Sequence, residues 1–198
     1  ESPTCTTTAR TSPTRDCSPP RLDWPDNGAM PTLMLMRHAK SDWDVSYGAD
    51  HDRPLSQRGV RSARLMGRLV AGTDLIPDLV ISSTAIRART TAQLAAESGA
   101  WGCSIDLESG FYGTGPDTVL TRASDAPDVD RLMLVGHQPT WSMLVQRLTG
   151  ARAEMKTASV AIIDMMIETW AELKTAQGIL TSLHHPRSYF GSEWDDAP

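Results

Sequence analysis

Apolar residues fall in short blocks through the middle of the chain, each bounded by polar or turn-forming residues. Leu33–Met36 is an unbroken apolar run that stops at Arg37 and His38. Such a run, without polar alternation, predicts a short strand covered on both faces. Ser56 is placed as the N-cap of a helix reaching about Ala71, with Val60, Ala63, Gly67 and Val70 as a small-residue face and Gly72 as its stop. Asp78–Ser83 predicts a second strand, leading through Ser82, Ser83 and Thr84 into a helix with Arg87 and Arg89 in its first turns. Ser104–Leu107 predicts a third strand, and the glycine-rich loop Gly110–Gly115 precedes Pro116 at a helix start. Arg131–Val135 predicts a fourth strand that runs into Gly136-His137-Gln138-Pro139. Beyond it Trp141, Leu144, Val145 and Leu148 recur at the spacing of one inward helix face. Ser159–Met165 and Gly178–Leu183 predict two more strands, with a turn near 172–177 between them. Strands alternating with helices imply an α/β domain, a three-layer α/β/α sandwich on a mostly parallel sheet. The last two strands have no helix between them, so the sheet is expected to be mixed.

Composition narrows the function classes. The chain has 198 residues, of which 40% are hydrophobic and 22% charged, as expected of one globular domain. That domain is expected over 31–190, between an extension at 1–30 and a tail at 191–198. Residues 1–30 are rich in Ser, Thr, Pro and Arg and nearly free of branched aliphatics, which predicts disorder. They read as an extension or as a start placed upstream of Met30, with a regulatory Ser/Thr-rich arm as the functional alternative. A net charge of −5 provides no global basic field for nucleic acid or an anionic membrane. A phosphate site would have to be a local concentration of arginine. Cys5, Cys17 and Cys103 have no metal-ligand spacing and support no disulfide framework. No apolar run nears the length of a membrane span and no signal-like segment precedes the first strand, so the expected location is the cytoplasm.

Candidate chemistry concentrates at strand ends. Two strands end in histidine, Arg37-His38 and Gly136-His137, and as parallel neighbours they would bring both imidazoles to one sheet edge. Arg37, Arg53 and Arg87 each follow a strand or open a helix and can converge there. Guanidinium forks match phosphate oxygens, and a neutral imidazole can attack phosphorus through one nitrogen while the other is held. The acidic loop after Ser41, with Asp42, Asp44, Asp50, His51 and Asp52, matches no calcium-loop spacing and reads as solvated. No metal and no cofactor is expected. His184 and His185 read as ordinary strand-end residues, and Lys40 and Arg89 as solvated or ion-paired. Arg87 and Arg89 lie two apart, which keeps them from facing one site on the same helix face.

The stretches LMRHAKSDWD, DHDRPLSQRG, VISSTAIRARTTAQ, LMLVGHQPTW, KTASVAIIDM and GILTSLHHPRSYF resemble, in this order, the histidine phosphatase superfamily with its phosphoglycerate-mutase-like fold. Within it the chain is similar to the small SixA-type phosphohistidine phosphatases, over about residues 32–190. The resemblance implies His38 as the nucleophile phosphorylated during turnover, Arg37, Arg53 and Arg87 as phosphate-binding arginines, and His137 as the second histidine on the phosphoryl group. It also implies a substrate that is either a phosphohistidine-bearing protein or a small phosphorylated molecule. Ala39 stands where the superfamily usually has glycine, a mild departure. Larger relatives carry an acid after the third strand that protonates an alkoxide leaving group. Here DLESGFYGTGPD offers Glu108 as the nearby glutamate, without a clear match. Imidazole leaves far more easily than an alkoxide, so the missing acid fits an N–P bond. The alternatives are a phosphatase for small phosphoesters and a phosphohistidine-binding module without turnover.

Overall fold

A computed structural model of the protein describes residues 30–190. The expectations for the tail at 191–198, and for the extension apart from Met30, lie outside the described residues. The elements in chain order are β1 (Thr32–Arg37), α1 (Gln57–Ala71), β2 (Leu79–Ser83), α2 (Ile86–Gly99), β3 (Ser104–Glu108), α3 (Pro116–Ala123), β4 (Arg131–Gly136), α4 (Thr140–Thr149), β5 (Val160–Met165), β6 (Gly178–His184) and α5 (Arg187–Phe190). The six strands form one sheet in the order β3-β2-β4-β1-β5-β6. Strands β1 to β4 run parallel, whereas β5 lies antiparallel to both β1 and β6, giving the mixed sheet expected from the missing last helix.

The unbroken apolar runs are explained by cover on both sides. In β1, Leu33 and Leu35 face a cluster with Leu132 and Leu134 of β4, Leu120 of α3, and Trp141 and Leu144 of α4. Met34 and Met36, alternate residues on the opposite face, join Met133 and Val135 of β4, Met66 and Val70 of α1, and Ala88 and Ala92 of α2. Burial of each such Leu or Met stabilises by about 1.5–3 kcal/mol, so β1 and β4 anchor the layers. The first helix opens as expected, with Ser56 Oγ accepting the Gly59 N–H at 3.2 Å. Its small face lets backbones approach closely. A Cβ on Gly67 would collide with the Ala95 carbonyl, and one on Gly59 with the Lys40 backbone. Gly72 ends the helix in a helical conformation, φ −73°, so its role there needs no left-handed turn. The third strand extends one residue beyond expectation, to Glu108, and short 3₁₀ turns occupy Asp50–Asp52, Ser109–Phe111 and Trp170–Glu172.

Candidate active site

Parallel pairing of β1 with β4 sets Arg37 opposite Gly136. The His38 N–H continues the ladder by donating to the Gly136 carbonyl at 2.9 Å. The two imidazoles emerge side by side, with ring centroids 5.0 Å apart and each residue only 8% exposed. His38 Nδ1 lies 2.8 Å from the Ala39 carbonyl oxygen. A carbonyl can only accept, so Nδ1 carries the ring proton and Nε2 keeps its lone pair. Burial, with smaller contributions from His137, Arg87 and Arg37, pushes the His38 pKa down to about 3. Burial also pushes His137 down to about 4; Arg87 and Arg37 add to the shift and Asp50 opposes it. Both rings are therefore neutral at neutral pH. His137 Nε2 lies 2.9 Å from Ser83 Oγ at the end of β2, the strand beside β4.

Arg53 and Arg87 are each only 5% exposed, and one carboxylate ties them together. Arg53 Nε donates to Asp50 Oδ1 at 3.0 Å, and Arg87 donates to Asp50 Oδ2 at 3.0 Å and to the Asp50 carbonyl at 2.6 Å. The Tyr112 hydroxyl donates to Asp50 Oδ2 at 2.8 Å. Burial pushes the Asp50 carboxyl up, but the hydrogen bonds from Tyr112 and Arg53, with the charges of Arg87 and Arg53, outweigh it and hold the pKa at about 2. Arg53 also donates to Ser41 Oγ, and its guanidinium stacks over the Trp43 ring at 3.6 Å. The Tyr112 ring stands edge-on to both His51 and His137, with centroids 5.1 and 5.4 Å away. The solvated reading of the acidic loop thus fails at Asp50, whose 3₁₀ turn folds it back onto the arginines. The side chain of Asp42 accepts the Asp44 N–H, and that of Asp52 pairs with His51.

The arginine of β1 completes the group. An Arg37 terminal nitrogen donates to the Met155 carbonyl at 2.9 Å. Among the described residues, Arg37 Nε, Arg87 Nε and His137 Nδ1 are buried polar atoms without a hydrogen-bond partner. An unsatisfied buried group costs about 1–3 kcal/mol, so three of them in one neighbourhood mark a site built for a polar ligand. Glu108 is placed differently. It accepts the Gly110 N–H at 2.6 Å and lies 3.9 Å from Arg122 Nε, contacts within its own turn and with α3. Among the described residues, no group of three or more His, Cys, Asp or Glu could hold a metal ion. The sequence reading missed Asp50, Ser83 and Tyr112. The spacing of Asp50 three residues before Arg53 was a usable signal; Ser83 and Tyr112 carried none.

A profile of the Histidine phosphatase superfamily (branch 1) matches residues 33–111. An uncharacterized protein of Mycobacterium tuberculosis (strain ATCC 25618 / H37Rv) is 34% identical over 168 residues, covering 77% of this chain and all of the relative. Among solved structures, a candidate phosphohistidine phosphatase SixA from Nakamurella multipartitia is 31% identical with a TM-score of 0.69, covering 80% of this chain and 98% of that one. A second candidate SixA, from Agrobacterium tumefaciens, is 27% identical with a TM-score of 0.68, covering 79% and 99%.

Proposed function

The chain belongs to the histidine phosphatase superfamily, and on that premise we propose that it hydrolyses phosphohistidine on a signalling or phosphotransfer protein through a phosphorylated His38. The observation that carries this reading is the pair of buried, neutral imidazoles 5.0 Å apart beside Arg37 and Arg87. His38 Nε2 attacks phosphorus while its Nδ1–H stays on the Ala39 carbonyl, and the N–P bond to the substrate imidazole breaks as the new N–P bond forms. A substrate phosphoimidazole already protonated on its other ring nitrogen leaves as neutral imidazole, so this step needs no proton from the protein. Water then attacks the phosphoenzyme, giving inorganic phosphate and free His38. Arg37, Arg53, Arg87 and His137 surround the phosphoryl oxygens and stabilise charge in both steps. Ser83 Oγ holds His137 Nε2 at 2.9 Å, and with the serine hydroxyl donating to Nε2 the imidazole proton sits on Nδ1, which has no protein partner and serves as a donor to the oxyanion.

The carboxylates support an easy leaving group. Asp50, held at about 2, is ionised at neutral pH and cannot act as the acid. Glu108 is engaged by Gly110 and Arg122. A positioned acid contributes about 10²–10⁴-fold to expulsion of an alkoxide, and imidazole or an acidic phenol needs far less. The test is a substrate panel of a phosphohistidine protein, p-nitrophenyl phosphate and a sugar phosphate, on the wild type and Glu108→Gln. Phosphohistidine and the aryl phosphate are expected to be favoured, with little effect of the substitution. Rapid, Glu108-dependent hydrolysis of the sugar phosphate, with phosphohistidine ignored, would overturn the reading in favour of a small-molecule phosphatase.

A further inference from the structure

The end of β1 is gripped from both sides. On the β4 side the His38 N–H donates to Gly136. On the other side the turn that enters β5 holds three backbone groups. The Ser159 carbonyl accepts the Arg37 N–H at 3.0 Å, and the Ala158 N–H donates to the carbonyls of Arg37 and His38 at 3.1 and 3.2 Å. The turn is closed by the Ser159 N–H on the Lys156 carbonyl at 2.9 Å. At its second central position Ala158 has φ 59°, the left-handed region where glycine is usual. A residue with a Cβ is strained there and keeps that conformation only where its surroundings enforce it. Ala158 and Ser159 are both fully buried, and the serine side chain reaches outside the turn. Ser159 Oγ lies 2.6 Å from His185 Nδ1. His185 directly follows β6, whose last residue, His184, pairs with Val160. An ordinary strand-end residue by its sequence context, His185 thus has a defined and buried partner next to the candidate nucleophile's strand.

We propose that His185 is a positioning residue for His38, acting through Ser159 and the left-handed turn at Ala158. The inference rests on the phosphatase reading and adds a residue that sets the geometry of attack without touching the substrate. The peptide joining His38 to Ala39 is pinned at both ends, its carbonyl by the Ala158 N–H and its N–H by Thr91 Oγ1 at 3.0 Å. That peptide leads straight to the Ala39 carbonyl, which holds His38 Nδ1 and so orients the ring. Loosening the turn therefore moves the acceptor that aims Nε2 at phosphorus, and a displacement of about 1 Å costs a reaction up to about 10²-fold. Arg53 and Arg87 are held separately, by Asp50, so phosphate binding does not depend on this turn in the same way.

The test compares the wild type with His185→Leu, His185→Asn and Ser159→Ala, using p-nitrophenyl phosphate as substrate and inorganic phosphate as competitive inhibitor. Asparagine offers a polar atom where Nδ1 stands, and leucine does not. His185→Leu is expected to lower kcat about tenfold while the inhibition constant of phosphate stays within about twofold, and His185→Asn to restore most of the loss. Ser159→Ala cuts the same link from its other end. It is expected to match His185→Leu, and the double variant to be no worse than either single one. Melting curves establish that each variant is folded at the assay temperature. Should His185→Leu not fold, Ser159→Ala, which loses one hydroxyl, reads the link alone. Unchanged kcat in the variants, losses that add in the double variant, or equal losses of kcat and phosphate affinity would overturn the positioning role. So would an asparagine variant no better than leucine. A wild type that turns over no phosphate substrate would remove the phosphatase reading, and this role with it; an active wild type with indifferent variants overturns the role alone.

Discussion

An imidazole attacks phosphorus only while one of its nitrogens keeps a lone pair, and the Ala39 carbonyl secures this for His38 by holding the proton on Nδ1. Around it, the residue with most leverage is Asp50, which positions Arg53 and Arg87 at once. Asp50→Asn keeps the size and one acceptor but removes the charge. It is expected to lower kcat/KM on p-nitrophenyl phosphate by about 10²-fold through misplaced guanidiniums. Unchanged kinetics would mean that the arginines are held by something else. His137→Ala is expected to lower kcat by about 10²–10³-fold, as loss of one donor to a developing oxyanion does. The strand-end histidines and the three arginines were legible in the sequence because each follows an apolar run or opens a helix. Asp50 was not, because its meaning depends on Arg87, 37 residues on, and Tyr112, 62 residues on. Linear order presents it as one of several loop acids.

The elements act by setting distances. Adjacent parallel β1 and β4 bring His38 and His137 together, and helix α1 packs closely enough to support the segment after β1. The two buried glycines of α1 separate these contributions. Gly67→Ala drives a methyl into the Ala95 carbonyl of α2, and is expected to cost about 1–3 kcal/mol of stability with near-normal turnover at a temperature where the protein is folded. Gly59→Ala drives a methyl into the Lys40 backbone, two residues from His38, and is expected to reduce both the melting temperature and kcat. If the two variants behave alike, α1 does not position the nucleophile. The small face of α1 was legible as Ala63, Gly67 and Val70, since small residues recurred at helical spacing. The contact at Gly59 was not, because its partner lies in an irregular segment with no periodicity. The last residue of β3, Glu108, escaped for a similar reason: β3 is an edge strand with a largely exposed face, and its end carries no apolar signal.

Across the whole molecule these groups link stability to pH. His38 and His137 have folded pKa values of about 3 and about 4, below their ordinary 6.5, so the unfolded chain takes up protons first on acidification. Their contribution is full above pH 6.5 and is lost as pH falls toward 4 and below. Asp50, lowered from 3.8 to about 2, contributes above its ordinary value and loses that contribution in more acid solution. All three act in one direction: the melting temperature is expected to fall steadily from pH 6.5 to 4, with a shallower slope in His38→Asn/His137→Asn. An equal slope in that variant would place the titrating groups elsewhere. The mixed sheet and its layers were legible from the order of apolar runs, because covered strands and helix faces leave periodic traces. The central claim is that phosphate passes through His38, and rapid quenching after reaction with a ³²P-labelled phosphohistidine protein tests it most directly. The expected result is one acid-labile, base-stable phosphate on His38, absent in His38→Ala. Label on a serine or aspartate, or an undiminished burst in His38→Ala, would contradict the account.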